Sequence, residues 1–341
     1  TQWIEQDPKR NYVLDWSLDI QRDVWRDLVV ELGYSGSHGV HLPFISADAN
    51  AVQPTLTPQG YLWPTSGGKK ANPNFGVITP ELWQVSSSYN ALQTRISKRL
   101  SHGFQVQGSY TLAKSLDAGS EATSTAFANS LTNLPLFDPR LRRGLSDFDI
   151  RHNFVANMLW ELPSPRTSVP LVNWLGGGWQ LGEILQVSSG QPFTPLIGGD
   201  PLGTQLGSTS YDEPDRLALP ECNNPVNSGN PNHYINLSCF ATPVPSNRLG
   251  NAGRNIAIGP GLVNVDSAFF KNNRLRRFSE DFNVQFRAEL FNVLNHANFS
   301  PPNAANVQLF TSNLALIPSA GALTTTATTS RQIQFALKIV W

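Results

Sequence analysis

The chain has 341 residues, with 25 Lys and Arg balancing 25 Asp and Glu, so its formal net charge is zero and it carries no basic footprint for nucleic acid. That length allows two ordinary domains or one large β-domain. Turn formers and aromatics are abundant (26 Gly, 25 Pro, 9 Trp, 18 Phe); no stretch approaches ~18 consecutive apolar residues, which excludes a transmembrane helix but not a membrane barrel, whose strands are only half apolar.

In chain order, the first clear element is Tyr12 to Gln21. Tyr12, Leu14, Trp16, Leu18 and Ile20 alternate with Asp15, Ser17, Asp19 and Gln21, a period of two over a length suited to crossing a bilayer at a tilt. Asp27 to Ser35 repeats it, with Leu28, Val30, Leu32 and Tyr34 against Asp27, Glu31 and Ser35. Tyr89 to Leu100 sets Leu92 and Ile96 against Gln93, Arg95 and Arg99, and Phe104 to Lys114 sets Val106, Tyr110 and Leu112 against Gln107, Ser109 and Thr111. Arg151 to Leu162 sets Phe154, Met158 and Trp160 against Asn153, Asn157 and Glu161. Trp179 to Ser188 is interrupted by Glu183, and Val263 to Lys271 is weakly patterned. Asp281 to Asn292 and Arg331 to Trp341 are regular, the latter with Ile333, Phe335, Leu337, Ile339 and Trp341 on one face. Leu290, Phe291, Val293 and Leu294 would also suit a helix, but ten residues of alternation before them favour a strand.

A soluble β-sandwich also alternates; the connections discriminate. Gaps Arg22–Arg26, Ser101–Gly103, Pro163–Gly178 and Asn272–Glu280 are short, while Gly36–Ser88, Ser115–Ile150, Ser189–Leu262 and Val293–Ser330 are long, and the two kinds alternate. In an up-and-down sheet every short turn then falls on one side, as in outer-membrane barrels with periplasmic turns and long extracellular loops. Trp341 ends on the periplasmic side, and the loop holding Cys222 and Cys239 is extracellular. The cysteines could be reduced and buried; in a loop so rich in Asn, Pro and Ser a disulfide is favoured, in an oxidising compartment. The expected fold is all-β, an antiparallel up-and-down transmembrane barrel, partial, in one domain spanning residues 1–341.

Catalytic constellations are not found. Ser109, Ser188 and Ser189 lack an elbow motif, and Gly176–Gly178 open no helix that could cradle a phosphate. Asp147 and Asp149 sit at a loop-to-strand boundary while His152 is expected on the lipid side, a poor metal set. Arg142 and Arg143 beside Asp138 and Asp147 read as ordinary loop ion pairs of little worth. No enzyme, cofactor or metal is expected. Asp15, Asp19, Glu31, Arg95, Arg99, Glu161, Glu183, Arg287 and Glu289 are expected on inward faces, lining a polar lumen or simply solvated. Tyr12, Trp16, Tyr34, Tyr110, Trp160, Trp179 and Trp341 suit interfacial belts.

Several segments also resemble a known family: YNALQTRISKRLSHGFQVQGSYTLAKSLD (Tyr89 to Asp117), SDFDIRHNFV (Ser146 to Val155), GGWQLGEILQVSSGQPFT (Gly177 to Thr194), LGNAGRNIAIGPG (Leu249 to Gly261), FRAELFNVLNHANF (Phe286 to Phe299) and RQIQFALKIVW (Arg331 to Trp341). In this order they are similar to the C-terminal barrel of TonB-dependent outer-membrane receptors, and most to the Oar-like, carboxypeptidase-regulatory-like-domain-containing receptors of acidobacteria. The resemblance implies a barrel of about 22 strands, an N-terminal plug, coupling to TonB, and passage of a scarce solute such as a siderophore, oligosaccharide or peptide. It also implies that Phe335, Leu337, Ile339 and Trp341 form the C-terminal signal read by the barrel-assembly machinery. Neither plug nor TonB box is visible here. Nine strands is odd, and an unpaired edge cannot face lipid; closure then needs preceding strands, a tenth strand before Tyr12 or within the long loops, or a partner. No signal-like segment follows Thr1 and the only methionine is Met158, so a fragment is favoured over a processed start. The rival reading is a surface-interaction barrel that passes no solute, with a soluble enzyme third.

Overall fold

The computed structural model describes residues 1–45, 48–65, 67–120, 136–204, 212–274 and 282–341. Nine strands form the wall: β1 Tyr12–Trp25, β2 Leu28–Ile45, β3 Thr79–Ser101, β4 Phe104–Asp117, β5 His152–Glu161, β6 Trp179–Ser188, β7 Leu262–Arg274, β8 Asn283–Phe291 and β9 Gln332–Val340. Each pairs antiparallel with its neighbour in sequence, giving an unbroken up-and-down sheet from β1 to β9. All nine strands expected from alternation are present; of the expected boundaries, Glu280 and Asp281 lie outside the described residues. The Leu290–Leu294 region resolves as strand to Phe291 and then turn, with Asn292 and Asn295 in the left-handed region at φ 49° and 51°.

The wall's apolar face is bare. Leu14, Trp16, Ile20 and Leu337 are 53, 44, 62 and 66% exposed. A sandwich would pack this face against a second sheet; leaving so many large apolar side chains uncovered is the signature of a surface meant for another apolar medium. Among the described residues β1 and β9 do not pair with each other, so the sheet is open, a partial barrel wall. A short strand does precede Tyr12, but Gln2–Ile4 pairs parallel with Thr79–Glu81 and does not complete the wall.

The short turns gather at one rim. The β3–β4 turn is His102–Gly103, with φ 52° and 74°, the double left-handed geometry that matches the twist of the strands it joins. The Pro163–Gly178 connection is more than a turn, because it contains the helix α1, Pro170–Gly176.

The opposite rim departs from expectation. β2 runs on to Ile45 and β3 begins at Thr79, both about ten residues beyond the alternating segments. Their extensions pack Phe44, Leu82 and Val85 with Ala118. The long connections are not bare loops but fold over this rim around a core of their own. Phe193, Ile197, Tyr234, Ile235, Val307 and Leu309 are buried in it, drawn from the β6–β7 and β8–β9 connections. A parallel pair, Leu196–Ile197 with Gln308–Phe310, stitches those two connections together. The buried centre of the molecule therefore lies in this cap and not inside the wall.

Candidate functional site

Strand register decides which side chains share a face. Asp15 stands opposite Ser37, Asp19 opposite Gly33, and Glu31 opposite both Gln21 and Arg95. Arg95 is opposite Ser109, and Arg99 lines the same cleft as Arg95. Glu161 faces Gln180, Arg287 faces Phe270 and Ala336, and Glu289 faces Ala268 and Gln334. Followed strand to strand, these eight residues all fall on the polar face. Glu183 does not. It is opposite Met158 and Ser267, on the apolar face, because its position in the alternation and not its charge sets its direction.

On the polar face Gln21, Glu31, Arg95, Ser97, Arg99 and Asn157 line an open cleft of about 630 Å³. Glu31 and Arg95 approach to 4.0 Å at its floor, an exposed pair that leaves both charges available to a ligand. Farther round, Gln180 donates to Glu161 at 3.2 Å. Arg287 donates to Gln285 at 2.6 Å and lies 5.4 Å over the Phe270 ring. The face is thus a hydrogen-bonding surface of mixed sign with small residues between the charges, suited to contacting a polar body.

At the cap end the same face closes on a buried ionic knot. Arg254 donates from Nη1 to Asp117 at 2.6 Å and from Nη2 to Asp147 at 2.8 Å and to Ser120 at 2.6 Å. Asn255 adds Nδ2 bonds to Asp147 at 2.6 Å and to the Leu145 carbonyl at 2.7 Å, while its N–H donates to Thr194. Asp149 accepts the Ser115 N–H at 2.6 Å, and burial raises its carboxyl above the usual range. A second buried pair, Arg142 with Glu213, ties the β4–β5 connection to the β6–β7 connection. Arg142 and Asp147 are therefore not the surface ion pairs expected from sequence. Only Asp138, paired with the exposed Arg140 at 3.0 Å, fits that description, and Arg143 reaches Ser86 and Ser88 instead.

The knot joins segments that are separate in sequence, with Asp117, Asp147, Thr194 and Arg254–Asn255 each coming from a different one of the segments that carry the family resemblance. Asn298, from a further motif, brackets the start of β7 by accepting the Val263 N–H at 2.8 Å and donating to its carbonyl at 3.0 Å. Sequence carries no local signal for these residues, whose burial shows only in the fold, where each side chain finds a hydrogen-bond partner. Cys222 and Cys239 form the disulfide expected of them, inside the cap core. His152 lies on the apolar face with Nδ1 2.8 Å from the Tyr110 hydroxyl. Among the described residues no group of His, Cys, Asp and Glu has the arrangement of a metal site.

The family model of the outer membrane beta barrel domain matches residues 1–334. Among solved structures, the chain is similar to the outer membrane transporter YddB from Escherichia coli, with TM-score 0.49 and 11% sequence identity over 98% of this chain and 33% of that one. The chain thus spans about a third of that transporter's length. No curated protein matches the sequence.

Proposed function

Because the chain belongs to the outer membrane β-barrel domain family and resides in the bacterial outer membrane, we propose that it is the C-terminal wall and extracellular cap of a TonB-dependent receptor that captures a solute and passes it inward. The observation that carries this reading is the segregation of charge. Asp15, Asp19, Glu31, Arg95, Arg99, Glu161, Arg287 and Glu289 share the polar face, where they would meet a plug or a solute. The motif resemblance supports the same assignment. The plug and the TonB contact lie outside these residues, and further strands would cover the free edges of β1 and β9, whose backbone groups cannot be left in hydrocarbon. Phe335, Leu337, Ile339 and Trp341 would present the signal for the barrel-assembly machinery, and the cap would bind a siderophore, oligosaccharide or peptide.

A second reading has its own support. A compact, disulfide-closed cap also suits a barrel that presents a binding surface and transports nothing. Uptake separates the two. The full-length protein is produced in a host lacking its own receptors, and accumulation of labelled siderophores, oligosaccharides and peptides is compared with and without TonB. TonB-dependent accumulation of one class supports the receptor; surface binding without accumulation in either background supports the presenting barrel.

A further inference from the structure

We infer that α1 is an interfacial anchor that lies in the phospholipid leaflet at the short-turn rim, latched onto the lipid-facing side of the wall by Lys271. The connection that holds it is the longest at that rim and the most apolar. Val169, Leu171, Val172, Trp174 and Leu175 are all exposed large hydrophobics. A periplasmic turn in water has no use for such a surface.

The segment is built to a fixed shape. Asn173 accepts the Thr167 N–H at 2.8 Å and donates to the Thr167 carbonyl at 2.8 Å, and the Trp179 indole donates to the Leu175 carbonyl at 2.8 Å. Its attachment point fixes its location. Lys271 stands in register with Trp179 and Phe286 on the apolar face. From there its ammonium donates to the carbonyls of Trp174 at 2.8 Å and Gly177 at 2.6 Å, and sits 5.7 Å from the Trp174 ring. The C-terminal end of α1 is thus bound to the surface that faces lipid.

A second lysine stands near the same rim. Lys98, also on the apolar face opposite Leu28 and Val106, turns its ammonium to Ser101 Oγ at 2.7 Å and the Phe104 carbonyl at 3.0 Å. It lies 5.7 Å over the Phe104 ring. Lysines that reach from an apolar surface to polar atoms at its rim, with aromatics beside them, mark a membrane–water boundary. The exposed apolar side of α1 continues the lipid-facing surface at that boundary, while Arg166, also exposed, is placed for phosphate headgroups.

This inference rests on membrane residence and not on transport, so either can fail alone. The full-length protein is reconstituted in phosphatidylethanolamine–phosphatidylglycerol bilayers with single cysteines introduced as Arg166→Cys, Val172→Cys or Leu175→Cys. Within these residues Cys222 and Cys239 are bonded to each other, so with any thiol elsewhere in the full-length protein replaced by serine each added cysteine is spin-labelled selectively. Collision with oxygen, enriched in lipid, is compared with collision with a water-soluble nickel chelate. The oxygen-to-nickel ratio should be several-fold higher at 172 and 175 than at 166. Adding Lys271→Met, with the barrel still heat-modifiable on gels, should lower the ratio at 175. Nickel access at 172 and 175 equal to that at 166 would overturn the anchor in favour of a water-exposed turn. Labels shielded from both reagents would overturn it in favour of a covering protein, and an unchanged ratio in the Lys271 variant would overturn the latch.

Discussion

Arg254 Nη2 donates to Asp147 Oδ1 at 2.8 Å across 107 residues of sequence, with both side chains almost wholly removed from solvent. The same guanidinium holds Asp117, so Arg254→Met would strand two carboxylates in the cap base. Breaking a buried pair from one side costs about 3–5 kcal/mol. The variant should keep its strand content by circular dichroism yet become sensitive to limited proteolysis within 136–151 and 249–261. Wild-type protease resistance in a folded variant would show that the knot does not hold the cap.

Acidity should act on the cap through Asp212, whose carboxyl is pushed up to about 7, chiefly by burial. The Leu202 N–H and Arg142 oppose that rise, while Asp200 and Glu213 add to it. The folded cap keeps a proton that the unfolded chain releases near pH 3.8. The resulting stabilisation is therefore complete below that pH and is lost as pH rises through about 7, a change of up to roughly 4 kcal/mol. Amide exchange around 196–204 should be slower at pH 5.5 than at pH 8 after correction for intrinsic rates, and Asp212→Asn should flatten the difference. An equally steep profile in that variant would assign the effect to another group.

Reduction of Cys222–Cys239 should loosen the cap and spare the wall. Closing a loop of this length is worth about 3 kcal/mol in the chain-entropy account. Proteolysis after reduction should cut between the two cysteines, while the strands keep their heat-modifiable mobility on gels. Loss of the barrel signature on reduction would mean that the cap supports the wall, against the separation of their cores.

The two faces of β9 should respond oppositely to charge. Leu337, on the apolar face opposite Phe286, should not tolerate Arg, because a cation on a lipid-facing mid-strand position costs about 2–4 kcal/mol. Lys338, opposite Gln285 on the polar face, should accept Gln with little change. Folding yields into vesicles, measured for both variants, would contradict the face assignment if Lys338→Gln were the more damaging.

The wall was legible in sequence because a two-residue period is written directly into residues such as Leu14, Trp16 and Leu18 alternating with Asp15, Ser17 and Asp19. Legibility failed where that contrast vanished. The outer half of β2 begins Gly36, Ser37, His38, Gly39, with no apolar member to betray the strand that the register shows. Charge alone groups Glu183 with the inward residues, although its position in the alternation puts it on the outer face. The cap was hidden for another reason. Its core and its knot join residues far apart in the chain, as Arg254 does with Asp117 across 137 residues, and no local periodicity reports such pairs. The disulfide was visible because cysteine has few other uses in so polar a loop.

Every pairing among the nine wall strands is between neighbours in the chain, whereas the knot waits for residue 254. The order of events in assembly follows from that difference alone. Hairpins can zip one after another as the chain is delivered, most readily across the short turns. The cap must stay ajar until the stretch before β7 has crossed to the far side. Asp117 and Asp147 then spend the interval in water, where an unpaired carboxylate is at home, and are sealed only when their arginine arrives.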